Sequence, residues 1–247
     1  MKLVSVNIEG DNHLDRVSAF LKNEQPDVVC LQEHFRVDSA RFEQELGMNS
    51  CFTPISIIDQ NLNARLTPKG EWGIAIFAKN VAEIDRYYYT NPTIAAPQFD
   101  GSLAGINYAV MSARCVVAGH EFNIATTHFT WSANGKTAPQ QVKDMNALIQ
   151  HLRKTKPDVI CGDFNAPIGG QIRNMLAAVY KDNIPPDTKT TIDNNLHRDS
   201  SLVPGGIQLA VDGVFSAADV QVSNLRIVGG VSDHMALVGE IKKTAKR

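Results

Sequence analysis

Features that would divide the chain or hold it in a membrane are missing from this sequence. No long tract of proline, glycine or serine and no block of like charge separates one part of its 247 residues from another. No run approaches the roughly 20 apolar residues that a membrane-spanning helix needs. Length alone would allow two domains, but 43% apolar content can fill one large core. We therefore predict a single domain over residues 1–247 with no membrane partner.

Cysteine is scarce, and its spacing excludes a zinc site or a disulfide framework. The four cysteines are scattered with no CxxC pair, and most lie inside apolar runs. This pattern is typical of buried free thiols in a reducing compartment. The N-terminus enters an apolar alternating run at once, so we expect no signal peptide and a cytoplasmic location.

A basic excess is also missing. The chain has 24 basic and 26 acidic side chains, a formal charge of −2. Its basic residues form only short groups, at 153–156 and in the tail at 242–247. Because proteins that grip a long nucleic-acid backbone usually carry a basic face, this balance disfavours processive handling of duplex DNA.

Short runs rich in valine and isoleucine predict strands along the whole chain. They cover residues 2–8, 28–31, 72–78, 86–89, 109–117, 121–127, 207–215, 220–227 and 235–241. Apolar residues on one stripe predict helices at 14–23 and 138–152. Gly119 suits a hairpin turn between two strands. The segment 92–105, with its prolines and glycines, is predicted to be a loop that faces a substrate.

One sequence pattern occurs twice. Pro26-Asp27-Val28-Val29-Cys30 and Pro157-Asp158-Val159-Ile160-Cys161 each follow a predicted helix and begin a buried strand. Duplication and chance both explain such a short echo. Two α/β halves with their sheets packed face to face and helices outside follow naturally from this organisation.

Polar side chains interrupt the first two strands at their ends. Asn7 follows Leu3-Val4-Ser5-Val6, and Glu33 ends the run that begins at Val28. An asparagine at a strand exit is often only a turn former. A carboxylate emerging from a buried strand needs a partner or a metal. If the two strands are adjacent, both side chains reach one end of the sheet and offer the hard oxygen ligands that Mg²⁺ accepts.

The segment Gly162-Asp163-Phe164-Asn165 follows another buried strand. Asp163 and Asn165 are two residues apart, so in an extended chain both would point to one side. That arrangement suits a general base and a partner that position the same water. An Asx turn before a helix near Ile172 is the structural alternative.

Further polar residues interrupt the strands of the second half. Asp233 and His234 precede the last strand, Asp212 interrupts an apolar run, and His128 ends a strand. A buried aspartate can orient an imidazole, and a histidine titrates near neutral pH. Taken alone, a histidine such as His128 at the end of a strand is more often structural, but the repeated placement of polar residues at strand ends favours function.

The ordered set of these motifs resembles the endonuclease/exonuclease/phosphatase superfamily, the deoxyribonuclease I-like proteins. Each motif is short, but together they cover nearly the whole chain in the family's order: Asn7, Leu31-Gln32-Glu33, Thr127-His128, Gly162-Asp163-Phe164-Asn165, Asp212 and Ser232-Asp233-His234. The resemblance implies a four-layer α/β/β/α sandwich with two packed mixed sheets. It also implies a metal-dependent hydrolase of phosphoric esters.

The resemblance implies a metal site and its ligands. Glu33 would be the principal ligand of Mg²⁺, or alternatively Mn²⁺, helped by Asn7 and by Asp233 directly or through water. By analogy with a family carboxylate, Glu71 would be a partner for His128.

The resemblance also assigns the chemistry. Asp163 would orient and deprotonate the attacking water, and Asn165 would hold the water or a phosphate oxygen. His234, paired with Asp212, would stabilise charge on the phosphoryl oxygens. His128 would bind another oxygen or help the leaving group.

The substrate is less well defined by the sequence. We expect a phosphodiesterase acting on a small or terminal phosphate ester, with a DNA or RNA nuclease acting on a nucleic-acid end as the alternative enzyme. Abasic endonucleases carry an aromatic- and arginine-rich segment where this chain has Pro204-Gly205-Gly206-Ile207-Gln208.

A catalytically silent binding module is the alternative of another class, but it predicts gaps in the motif set. Specificity would reside in the loops at 92–105 and 182–204, and nothing indicates an obligate protein partner.

Overall fold

The computed structural model describes residues 1–61 and 66–244 of the chain, which leaves the last three residues of the predicted basic tail outside the described part. In these described residues four α-helices lie between the strands: α1 (Leu14–Glu24), α2 (Ser39–Leu46), α3 (Pro139–Thr155) and α4 (Gln171–Ala177). The strands in the first half are β1 (Lys2–Asn7), β2 (Val28–Phe35), β3 (Asn49–Ile58), β4 (Gly70–Ala78), β5 (Val81–Tyr88) and β6 (Ala109–Val117). Those in the second half are β7 (His120–His128), β8 (Val159–Asp163), β9 (Lys181–Asp182), β10 (Asp212–Ser216), β11 (Val220–Val228) and β12 (Ala236–Lys243).

These strands form two six-stranded sheets. The first has the order β11-β12-β1-β2-β4-β3, and the second has the order β5-β6-β7-β8-β10-β9. Each sheet is mixed, because one parallel pair, β1–β2 or β7–β8, lies between antiparallel neighbours. The β6–β7 hairpin turns at Ala118 and Gly119, both with positive φ, as the glycine at this point predicted.

Apolar side chains fill three layers of core. One cluster lies between the sheets and includes Cys30, Ile76 and Cys161. A second packs α1 and α2 on the outer face of the first sheet, and a third packs α3 and α4 on the outer face of the second. The predicted four-layer α/β/β/α sandwich is therefore confirmed. None of the described helices has the length and apolar character needed to cross a membrane.

The repeated sequence pattern marks equivalent places in the two sheets. In each sheet a helix ends in a residue with left-handed backbone, Gln25 or Lys156, and a Pro-Asp pair leads into the second strand of the parallel pair. The aspartate accepts a hydrogen bond from the backbone of the first strand at 2.7 Å in both cases: Asp27 from Lys2, and Asp158 from Asn123. The echo thus has one structural role in both halves.

The main departures from the sequence-based expectations concern strand bounds. β2 continues to Phe35 and does not end at Glu33, whereas the run predicted at 207–215 is extended loop until Asp212 begins β10. α2 and β3 were not predicted, because Asn49-Ser50-Cys51-Phe52-Thr53-Pro54 lacks a clear alternation.

Candidate active site

A β-bulge places Glu33 at the edge of the first sheet. Between the pairs Leu31–Ala75 and His34–Gly73, two residues of β2 oppose one of β4. Glu33 has a left-handed backbone, with φ of 57°. The extra residue shifts the inward-outward alternation, so His34 returns to the outer face while the Glu33 side chain is free to enter the pocket.

Asn7 joins the carboxylates of the two sheets. Its Nδ2 donates to Glu33 Oε1 at 3.0 Å and to Asp163 Oδ2 at 3.2 Å. Its Oδ1 accepts from the Glu9 backbone N–H at 3.1 Å. In this arrangement the amide nitrogen faces the carboxylates, so Asn7 joins the acids of the two sheets.

His128 and Asp163 end neighbouring parallel strands and are paired in register. His128 Nε2 lies 3.6 Å from Asp163 Oδ2 and 3.7 Å from Glu33 Oε1. Gly162 allows this close approach, because a Cβ at that position would lie 2.0 Å from the carbonyl oxygen of Thr127.

A second histidine approaches Asp163 from the loop before β12. His234 Nε2 lies 3.9 Å from Asp163 Oδ2. Its Nδ1 lies 2.8 Å from Asp212 Oδ2, which also accepts a hydrogen bond from Thr191 Oγ1 at 2.5 Å. The predicted Asp212–His234 pair is therefore present, and Thr191 is an orienting residue that the sequence analysis missed.

Asn165 differs from its predicted geometry. Its backbone N–H donates to Asp163 Oδ1 at 2.8 Å and its φ is 48°, so the segment is an Asx turn and not extended chain. The side-chain amide lines the pocket but donates to the carbonyl of Phe129 at 2.8 Å. The structural alternative is thus correct for the backbone, and Asn165 does not share one side of a strand with Asp163.

Glu71 is not brought to His128. It forms an ion pair with Arg36 at 3.1 Å on the surface. The ring of His128 instead lies against Trp72 and Tyr108, with centroid separations of 5.7 and 5.8 Å. The expected pairing is wrong, because neighbouring residues in a strand point to opposite faces and Trp72 takes the inward position.

A further acidic cluster lies beside the first. Asp233 shares a compact set of ligand atoms with Glu9 and His13, all within 4.8 Å of one another. Glu9 Oε2 lies 3.3 Å from His13 Nε2, and its Oε1 lies 3.8 Å from Arg198. The sequence analysis missed Glu9, although its place two residues after Asn7 was a usable signal.

This geometry agrees with the comparison to known families. A sequence model described as "Endonuclease/Exonuclease/phosphatase family" matches residues 4–234. The chain belongs to this family. Its members are hydrolases that act on phosphate esters.

Solved structures share the fold at low sequence identity. An endonuclease/exonuclease/phosphatase from Bacteroides vulgatus is 18% identical with a TM-score of 0.70, covering 98% of each chain. The human Nocturnin catalytic domain, solved with a bound sulfate anion, is 18% identical with a TM-score of 0.68, covering 99% of this chain and 93% of that one. A mannosyl-6-phosphatase from Bacteroides thetaiotaomicron is 14% identical with a TM-score of 0.69, covering 98% and 99%. A comparison with curated proteins finds no match.

The acids of this family site repel one another. Burial, followed by the nearby charge of Asp233, raises the pKa of Glu33 to about 8. Burial also raises the pKa of Asp233 itself. A divalent cation would relieve this repulsion, and carboxylate oxygens are the ligands that Mg²⁺ and Mn²⁺ prefer. The residues present therefore fit a hard divalent metal.

The two histidines are driven to opposite charge states. Burial lowers the pKa of His128, which favours its neutral form. Burial acts the same way on His234, but the carboxylates of Asp212 and Asp163 outweigh it and raise the pKa of His234 well above its ordinary value. At neutral pH the site thus holds one neutral imidazole and one imidazolium close to Asp163.

These groups lie at the bottom of a pocket of about 770 Å³. Both loops that the sequence analysis assigned to specificity contribute to its wall: the first through Phe99 and Leu103, the second through Arg198 and Val203. The wall also contains Trp131, which follows the strand that carries His128.

Proposed function

We propose that this protein is a Mg²⁺-dependent phosphoesterase that hydrolyses a small or terminal phosphate ester by in-line attack of water. The observation that carries the proposal is the position of Asp163. Its Oδ2 lies within 4 Å of two imidazole nitrogens and of the Asn7 amide, at the bottom of a pocket open to a ligand. A carboxylate at that point can accept a proton from water while the neighbouring groups hold a phosphate.

The other residues have separate roles in the proposal. The His234 imidazolium, held by Asp212, stabilises the negative charge that develops on the phosphoryl oxygens. Neutral His128 donates a hydrogen bond to a non-bridging oxygen or to the leaving group. The Asx turn at Asn165 fixes the Asp163 carboxylate through its Oδ1. Oδ2, which also accepts a hydrogen bond from Asn7, is the oxygen that would face the water.

The metal would be held by Glu33 together with Asp233, while Asn7 positions the Glu33 carboxylate. When bound, Mg²⁺ supplies charge neutralisation at the phosphate and assists departure of the leaving group. Burial and a neighbouring carboxylate raise the pKa of Glu33 and that of Asp233. A bound cation would offset the cost of ionising both acids, which supports this assignment.

The charge of the pocket favours a small substrate over a polynucleotide. Among the described wall residues, Arg198 is the only lysine or arginine, and it already contacts Glu9 and Asp199. A nucleic-acid groove would need several free cations along the backbone path. The mannosyl-6-phosphatase among the similar structures also supports a small phosphate ester.

The test is turnover of a substrate panel by wild type and by Asp163→Asn, with Mg²⁺ and with chelator. The panel holds a chromogenic phosphodiester, its monoester, a sugar phosphate, and single- and double-stranded DNA. We expect magnesium-dependent hydrolysis of a small ester that falls by roughly 10²–10⁴-fold in Asp163→Asn. Asp187→Asn, at an exposed position, is the matched control and should retain wild-type activity.

Three results would count against the proposal. A folded Asp163→Asn variant with wild-type rate would place the base elsewhere. Preferential cleavage of DNA would favour the nuclease alternative. Silence over the whole panel, with and without metal, would favour a binding module on the same fold.

A further inference from the structure

The mouth of the active pocket has an apolar wall that solvent reaches. Leu103 is 50% exposed, Trp131 is 47% exposed and Val203 is 42% exposed, and all three line the pocket. They come from three separate segments of the chain. Exposed large apolar side chains that converge on one concave site mark a binding surface, whereas scattered ones need no explanation.

The surface is held in place by polar contacts, two of which are buried. Leu103 begins a short 3₁₀ turn in which Ser102 Oγ accepts a hydrogen bond from the Ala104 N–H at 3.2 Å, and the Gly105 carbonyl accepts one from Ser56 Oγ at 2.6 Å. The residue before Trp131 is fixed from helix α3, because Gln141 Nε2 donates to the Thr130 carbonyl at 2.8 Å. The apolar side chains are thus presented by anchored loops, which limits the entropy lost on binding.

The same mouth offers little to a second charged group. The guanidinium of Arg198 lies 3.8 Å from Glu9 and 3.6 Å from Asp199, so both neighbours already balance its charge. The deeper groups, Asp163 and the two histidines, are sufficient for one phosphoryl group. A ligand with further phosphates would meet carboxylates and apolar surface at the mouth.

We propose that the substrate carries a single phosphoryl group esterified to an apolar group about the size of an aromatic ring, and that Trp131 and Leu103 select that group. This inference rests on the proposed function for the position of the phosphoryl group. The ring would lie against Trp131 and Leu103 while the phosphoryl group reaches Asp163. Aromatic side chains favour such offset or edge contacts with another ring.

The test measures binding without turnover. Isothermal titration calorimetry in the presence of Mg²⁺ compares phenylphosphonate with methylphosphonate, which share a non-hydrolysable head group and differ in the apolar part. We expect wild type to bind phenylphosphonate roughly tenfold more tightly, from the extra apolar area buried. Trp131→Ala and Leu103→Ala should each reduce the ratio of the phenylphosphonate affinity to the methylphosphonate affinity several-fold, while the affinity for methylphosphonate stays unchanged.

Leu202→Ala is the matched control. Leu202 is 77% exposed and adjacent to Val203 but does not line the pocket, so its variant should keep the wild-type ratio. Equal binding of the two phosphonates, binding of neither, or an equal loss of ratio in Leu202→Ala would overturn the inference. Selective binding combined with silence in the turnover panel would instead overturn the proposed hydrolysis and leave the apolar selection in place.

Discussion

Single side chains in this site act through their neighbours. Asp212 is buried at the start of β10, and its Oδ2 contacts both His234 and Thr191. It therefore sets the charge and orientation of an imidazole that lies closer to the pocket. Thr191 fixes the carboxylate in turn, so the orienting contacts extend one residue further than the reacting groups.

Replacing Asp212 by asparagine should change both rate and pH dependence. We expect kcat to fall by roughly 10²-fold, because the imidazolium loses its partner. The carboxylate raises the pKa of His234, so activity that needs the imidazolium is present below that pKa and is lost as pH rises through it. Asp212→Asn lowers this pKa, and the alkaline limb of the pH–rate profile should move to lower pH.

The measurement is kcat over pH 5–10 for wild type, Asp212→Asn and Asp219→Asn. Asp219 is exposed in the turn between β10 and β11, away from the pocket wall, so its variant should keep the wild-type alkaline limb. A reduced rate with an unmoved limb in Asp212→Asn would mean that Asp212 is only structural.

The residue types at strand ends could be read from the sequence, but their orientations could not. Glu33, His128, Asp163, Asp212 and His234 lie together in one site as the motif order predicted. Which face a side chain takes depends on tertiary contacts, however. The nitrogen of the Asn7 amide faces the acids because the amide oxygen accepts a hydrogen bond from the backbone N–H of Glu9. Glu71 points away from the site because Trp72 occupies the inward position.

At the scale of elements, the site depends on how closely β7 and β8 approach. Gly162 has φ of 141°, and a Cβ there would collide with the carbonyl oxygen of Thr127. The glycine before Asp163 thus permits the pairing that sets His128 beside the carboxylate. The bulge in β2 likewise positions Glu33. The sequence Gln32-Glu33-His34 does not predict this bulge, because the residue with left-handed backbone is not a glycine.

Gly162→Ala should destabilise the protein by about 3 kcal/mol, from backbone strain and from the forced separation of two strands. Gly119→Ala is the matched control. Gly119 also has positive φ, at 80°, but its added methyl group meets nothing within 4 Å. Its cost should be about 1 kcal/mol. Urea denaturation of the two variants measures the difference, and equal free energies of unfolding would show that the close approach has little energetic weight.

At the scale of the whole molecule, the site joins the two sheets at one end of the sandwich. The first sheet supplies Asn7 and Glu33, and the second supplies His128 and Asp163. The repeated Pro-Asp pattern predicted two similar halves. In each half the parallel pair of strands ends in polar residues, and both sets of polar residues lie at the same edge of the sandwich. Burial at this junction, and after it the charge of Asp233, raises the pKa of Glu33, so the ionised form of this acid is unfavourable to the fold.

Metal binding should therefore stabilise the whole chain, and removing Glu33 should stabilise the metal-free form. In Glu33→Gln with chelator at pH 8, we expect the free energy of unfolding to rise by about 1 kcal/mol. This figure is smaller than the pKa shift alone would give, because solvent reaches 22% of the Glu33 side-chain surface and screens its charge. The gain corresponds to about 2–4 °C in Tm for a chain of this size. Glu33 has a higher pKa in the folded protein than in the unfolded chain. Between these two pKa values the unfolded chain has ionised Glu33 while the folded protein has not, so the free energy of unfolding falls as pH rises, until Glu33 ionises in the folded protein near pH 8.

Differential scanning fluorimetry with chelator and with a Mg²⁺ titration separates stabilisation by bound metal from stabilisation by loss of the Glu33 carboxylate. Wild type should gain Tm with Mg²⁺, because the cation binds the native site and not the unfolded chain. Glu33→Gln should begin higher and gain little. Glu71→Gln removes a carboxylate that the structure places in a surface pair with Arg36, so it should follow wild type in both conditions. If Glu33→Gln gains as much from Mg²⁺ as wild type does, the cation binds elsewhere, and the acids around Asp163 are joined by hydrogen bonds alone.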